Sequence, residues 1–155
     1  MMFHASAAGR LNGAGLDVRC ALGAGGIAAP GAKREGDGRT PAGLWPLRRV
    51  LYRPDRLPAP RTGLPVSPLA ADDGWCDAPG DPAYNRAVKH PYPASAERLW
   101  RADHIYDIVV VLGFNDDPVT PGAGSAIFWH LAHDDYRPTA GCVAIAREHM
   151  LTALA

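Results

Sequence analysis

The segment Tyr106-Asp-Ile-Val-Val-Val-Leu-Gly113 constrains the fold more than any other stretch. Apolar, mostly β-branched residues fill its core without a polar alternate, so a strand here buries both faces and belongs at the centre of a sheet. Around it the chain is interrupted by 17 glycines and 15 prolines. That is too much punctuation for a helical bundle, and it suits short strands joined by turns. The expectation is a β-dominated α+β domain spanning residues 1–155, long enough to bury its own core.

The remaining elements follow from local pattern. Met2 to Ala7 and Leu16 to Leu22 read as two strands, with Asn12-Gly13-Ala14-Gly15 supplying turn chemistry between them. Gly23 to Gly43 reads as a polar, glycine-rich connection. Its Gly36-Asp37-Gly38 lacks the Gly-Lys-Ser/Thr ending and the following helix that a phosphate loop needs. Leu44 to Tyr52 is a strand with Pro46 at its beginning or on an edge. Residues 53–73 are proline-rich and irregular, with Leu64 to Val66 extended. Ser95 to Asp103 reads as a helix capped by Ser95, Ala126 to Leu131 as a strand, Val143 to Ile145 as a brief strand, and Arg147 to Leu154 as a closing helix.

Charge excludes several functions. Sixteen basic side chains balance sixteen acidic ones, whereas a nucleic-acid or anionic-membrane partner calls for a clustered basic excess. No apolar run approaches the length of an integral membrane segment. The amino terminus shows neither the basic stretch nor the apolar core of a signal peptide, which makes a cytoplasmic location one expectation. The aspartates at 72, 73, 77 and 81 do not form a calcium loop. Cys20, Cys76 and Cys142 are an odd set; a Cys20–Cys76 bridge would leave one thiol over.

The chemistry concentrates near the carboxyl end. Ile127-Phe-Trp-His130 delivers an imidazole on an apolar strand, and Thr139-Ala-Gly141-Cys142-Val143 returns a thiol after a short polar loop. A thiol is a poor nucleophile until deprotonated, and a neighbouring histidine supplies the base. Gly141 permits close backbone approach, and the N–H groups of Gly141 and Cys142 are candidate oxyanion donors. On a strand, positions 130 and 133 face opposite sides, so only His130 is expected to face Cys142. The same residues read otherwise give a zinc site of His130, His133 and Cys142, or a buried thiol that is only a small hydrophobe.

Three pieces, taken in order, resemble the L,D-transpeptidase catalytic (YkuD-like) family of bacterial cell-wall enzymes. Gly38-Arg39-Thr40-Pro41-Ala42-Gly43-Leu44 resembles the family's Thr-Pro-x-Gly segment, Ile127-Phe-Trp-His130 its base-bearing strand, and Thr139-Ala-Gly141-Cys142-Val143 its nucleophile motif. Where that motif usually has histidine before Gly-Cys, this chain has Ala140, and Ala144 replaces a polar or basic residue. The interval from His130 to Cys142 is also shorter than usual.

The resemblance implies a YkuD-like β-sandwich or barrel with two short helices and a Cys–His dyad without a cofactor. It implies attack by Cys142 on a peptidoglycan stem peptide, loss of the terminal D-alanine, and transfer of the thioester to an amine or to water. Catalytic roles then fall to Cys142, His130 and Gly141. Thr139 would bind the loop or substrate, Arg39 and Arg137 would meet stem-peptide carboxylates, and the location would be the periplasm or cell envelope. Alternatives are a zinc-dependent peptidase and a non-catalytic cell-wall-binding module of the same fold.

Overall fold

A computed structural model describes all 155 residues. Its strands are β1 (His4–Ser6), β2 (Arg10–Gly13), β3 (Leu16–Arg19), β4 (Ile27–Ala28), β5 (Thr40–Pro41), β6 (Leu47–Tyr52), β7 (Val66–Pro68), β8 (Asp73–Cys76), β9 (Ala87–Lys89), β10 (Ala96–Arg98), β11 (Ile108–Leu112), β12 (Phe128–Leu131) and β13 (Val143–Ile145), followed by the helix α1 (Arg147–Leu154). They form four sheets, and none closes into a barrel.

The central sheet runs β13-β12-β11-β6-β7. As its composition requires, β11 is the middle strand, antiparallel to both β12 and β6. The pairs β12–β13 and β6–β7 are parallel. Side-chain alternation sends Ile108 and Val110 to one face and Val109 and Val111 to the other, all buried. Each such side chain contributes roughly 1.5–3 kcal/mol relative to exposure.

One face, with Trp129, Leu131, Val143 and Ile145, packs on Leu11 and Val18 of the β1-β2-β3 meander and on Met150 and Leu154 of α1. The other, with Phe128 and Cys142, packs under Trp75, Leu99 and Tyr106, where the β10-β8-β9 sheet lies. Asp107 ties the layers together. It is 2 % exposed, and its two oxygens accept from Arg56 at 2.7 Å and from Arg147, the first residue of α1, at 2.5 Å.

Two expectations need correction. Residues 95–103 are not helical: β10 pairs Glu97 with Trp75 in an antiparallel ladder. Ala96, Leu99 and Trp100 stand at helical spacing, but the ladder with β8 satisfies this backbone as a strand and overrides that local pattern. The fold therefore has one helix, not two. The amino-terminal hairpin joins β2 to β3 through Ala14 and Gly15, at φ 50° and 80°, while Asn12 and Gly13 belong to β2. Both turn residues are left-handed, as a tight hairpin requires. Pro46 stands just before β6, at the strand beginning, one of its two expected places, and β6 itself is interior, flanked by β11 and β7.

The polar connection at 23–43 is also more ordered than a surface loop. Its ends pair as β4 and β5, and the Thr40 hydroxyl accepts from the Gly23 N–H at 2.8 Å. Cys20, Cys76 and Cys142 are all buried free thiols.

Candidate active site

Register brings the thiol and the imidazole together. Trp129 pairs with Val143 and His130 with Ala144. Alternation then puts Phe128 and His130 of β12 on the same face as Cys142 and Ala144. Cys142 and His130 are diagonal neighbours on that face. Both line a cleft of about 450 Å³ together with Tyr106, Glu97, Lys33 and Thr139.

The sulfur is held by backbone. Phe128 N–H donates to Cys142 Sγ at 3.3 Å, and the thiol donates to the Ala126 carbonyl at 3.2 Å. Ala126 is left-handed at φ 52°, and its N–H donates to the Asn85 side chain at 3.1 Å. Asn85 is itself buried and also accepts from Trp75 Nε1 at 2.9 Å. A hub far away in sequence thus aims the carbonyl that receives the thiol proton.

Both side chains rest neutral. Burial, followed by the nearby Glu97 charge, pushes the Cys142 thiol up to about 12, against the pull of the Phe128 N–H and Lys33. Burial also drives the His130 imidazole down to about 4, although its backbone hydrogen bond favours the proton. Nδ1 of His130 donates to the Leu131 carbonyl at 2.9 Å. A carbonyl only accepts, so this bond fixes the proton on Nδ1 and leaves Nε2 with a free lone pair. The Tyr106 ring meets the imidazole edge-on, centroids 5.1 Å apart.

The turn leading into Cys142 is braced from two sides. Thr139 Oγ1 donates to the Cys142 carbonyl at 2.7 Å and accepts from the Gly141 N–H at 3.1 Å. Of the two candidate oxyanion donors, Gly141 is therefore engaged, whereas the Cys142 N–H has no acceptor. Gly141 sits at φ 141°, and a Cβ there would lie 2.8 Å from the Arg39 carbonyl oxygen. The Thr-Pro-x-Gly segment thus backs the turn. Thr139 also bonds to the chain before β4, donating to Leu22 and accepting from Ala24, each at 2.9 Å.

The arginines fall elsewhere. Arg39 is exposed and contributes its backbone, its N–H donating to Asp37 at 2.9 Å. Arg137 is exposed and paired with Asp135 at 3.0 Å. Neither lines the cleft. His133 does line it, contrary to the alternation argument, because β12 ends at Leu131 and the two-residue period lapses there. His130, His133 and Cys142 still do not group into a set able to hold a metal ion, which leaves the zinc reading without its ligands.

Sequence reasoning missed the other cleft residues: Lys33, Glu35, Asp77, Glu97, Arg101 and Tyr106. They come from four separate segments with no shared motif. Only the β10 pairing could have shown that Glu97 belongs to a strand facing the thiol.

A buried thiol and a tautomer-fixed imidazole on one sheet face, opening on a cleft, define a β-rich protein with a candidate cysteine–histidine site. The family model of the L,D-transpeptidase catalytic domain, YkuD, matches residues 10–154, and the chain belongs to that family. Membership implies L,D-transpeptidase-family activity on peptidoglycan. No curated protein and no solved structure matches the chain. No helix is long and apolar enough to cross a membrane.

Proposed function

We propose that the chain, as one catalytic unit, is a cysteine L,D-transpeptidase acting on peptidoglycan stem peptides, with Cys142 as nucleophile and His130 as base. The observation that carries this reading is the free Nε2 of His130 on the sheet face that presents the Cys142 sulfur, inside a cleft. Family membership supplies the substrate class and, with it, the cell envelope as the site of action.

In the resting enzyme the thiol proton points to Ala126. When a stem peptide fills the cleft, water is excluded and Nε2 of His130 accepts that proton. The Phe128 N–H stabilises the thiolate, which attacks the peptide carbonyl carbon. The Cys142 N–H, lacking another acceptor, donates to the developing oxyanion; one such donor contributes about 3 kcal/mol to the transition state. His130 then returns its proton to the departing D-alanine amine, leaving a thioester on Cys142. An amine from a second stem, or water, attacks the thioester with His130 again taking the proton. Transpeptidation and L,D-carboxypeptidation differ only in that nucleophile. Thr139 shapes the turn by bridging Gly141 and Cys142, and needs no contact with substrate to matter.

The test is mass spectrometry of the protein mixed with a tetrapeptide stem. The expected result is an acyl adduct on Cys142 with release of D-alanine, both lost in Cys142→Ala. Binding of the stem without adduct or D-alanine would mark a non-catalytic cell-wall-binding module and overturn the proposal.

A further inference from the structure

Two consecutive arginines of β6 line the same small pocket. Alternation sends neighbouring strand residues to opposite faces of a sheet. Here the ladder with β11 pairs Arg49 with Val111 and Leu47 with Leu112, so Arg48 is an extra residue in a bulge. A bulge re-aims the side chains beside it, and both arginines border one pocket of about 170 Å³. Arg86, just before β9, joins them from another sheet. The pocket is not the cleft of Cys142: of all the residues lining the two, only Ile127 is shared.

Three guanidiniums meet one carboxylate there, that of Asp116. Arg48 takes both of its oxygens, at 3.0 and 3.1 Å. Arg86 donates at 2.8 Å to the Asp116 backbone carbonyl, which carries no net charge. Arg49 is half-buried, and its guanidinium carbon stands 5.9 Å from the centre of the Trp75 ring. Neither Arg49 nor Arg86 enters any ion pair of the molecule. Asp117 acts on Arg48 from nearby but does not line the pocket. Two positive charges are therefore left over around one concave space. That of Arg49 is partly withdrawn from water, where a charge without a partner is costly.

We propose that Arg49 and Arg86, with Arg48 beside them, form a site for a phosphate group. The excess of two charges matches a doubly ionised phosphate rather than a singly charged carboxylate. Guanidinium forks arriving from separate segments can each take different oxygens of a tetrahedral group, whereas a carboxylate offers two oxygens in one plane. Asp116 fixes Arg48 through its two hydrogen bonds and, through its backbone, one N–H of Arg86, so part of the site is ordered before a ligand arrives. The site stands apart from the chemistry assigned to Cys142 and does not depend on it.

The experiment titrates the full chain by NMR with inorganic phosphate, methyl phosphate and acetate at about pH 8, where both phosphates are doubly charged. Saturating shifts of the Trp75 indole N–H are expected with at least one phosphate, and acetate should bind about tenfold more weakly. Arg49→Gln should weaken the phosphate about tenfold, the worth of one charge-assisted hydrogen bond. Arg86→Gln, an exposed change that leaves the core untouched, should do the same, and it decides the matter if Arg49→Gln melts early. Arg137→Gln, far from the pocket in a surface ion pair, should change nothing. Binding of inorganic phosphate alone marks a free ion as the ligand, and binding of methyl phosphate alone marks a phosphorylated molecule; either sustains the site. Acetate as tight as phosphate overturns the assignment to phosphate. No saturable binding, or binding that Arg86→Gln leaves unchanged, overturns the site itself.

Discussion

Phe128 donates its backbone N–H to the Cys142 sulfur across 3.3 Å, so the strand that carries His130 also holds the thiol. Thiol and imidazole are positioned by one ladder rather than by two independent loops. The sulfur is gripped before any substrate arrives, and its position depends on main-chain atoms that side-chain mutation leaves in place.

The protonation states set the first prediction. The Cys142 thiol is raised to about 12 by burial and by Glu97, so its thiolate fraction grows with pH throughout the neutral and mildly alkaline range. Alkylation by a small neutral reagent should climb across that range without a plateau. Glu97→Gln should shift the climb to lower pH. A plateau near neutrality would show instead a preformed thiolate–imidazolium pair.

His130 makes stability pH-dependent. Its folded value, about 4, lies below the ordinary 6.5 because of burial. Below about pH 6.5 the unfolded chain takes up a proton that the folded chain refuses, so this contribution is lost as pH falls toward 4. The loss amounts to roughly 3 kcal/mol at its fullest. Urea unfolding at a series of pH values should show a decline of that order, reduced in His130→Gln.

Gly141→Ala should be severe. The new Cβ would stand 2.8 Å from the Arg39 carbonyl at a backbone angle that L-residues avoid. A loss of about 1–3 kcal/mol is expected, and acylation of Cys142 should fall even where the variant stays folded. Chemical denaturation with adduct formation on the same samples separates the two effects.

Thr139 offers a cleaner contrast. Thr139→Val removes both the donor to Cys142 and the acceptor from Gly141, at a cost of about 1–3 kcal/mol. Thr139→Ser keeps the hydroxyl and should retain near-normal stability and acylation. Arg137→Ala, which touches only an exposed ion pair, should change acylation little.

Asp107 should behave as a buried ion-pair centre. Asp107→Ala leaves the partly exposed Arg56 and Arg147 without their shared carboxylate and should cost about 1–3 kcal/mol. The melting temperature would report it, and an unchanged melt would remove Asp107 as the tie between α1 and the sheet.

Where the sequence was legible, one local pattern sufficed. The apolar run of β11 announced a central strand, and Arg147 to Leu154 is the helix expected. The proposed Cys142–His130 pair was legible because His130 lies on a strand and Cys142 just before one, each among apolar neighbours. Ser95 to Asp103 misled because Ala-Glu-Arg is good helix sequence, and only pairing with β8 makes it a strand. His133 misled because a period holds no further than its strand. Asn85 and Glu97 carried no local mark at all, since their importance lies in partners nine to forty-one residues away.

The parallel pairing of β12 with β13 has one more consequence. Because register rather than loop length fixes the thiol against the imidazole, the number of residues between His130 and Cys142 is free to vary. The tip of the intervening connection, Asp134 and Asp135, is exposed, and lengthening it costs little more than the entropy of closing a slightly longer loop. That tip is therefore where a graft of extra residues would be carried without moving Cys142 against His130.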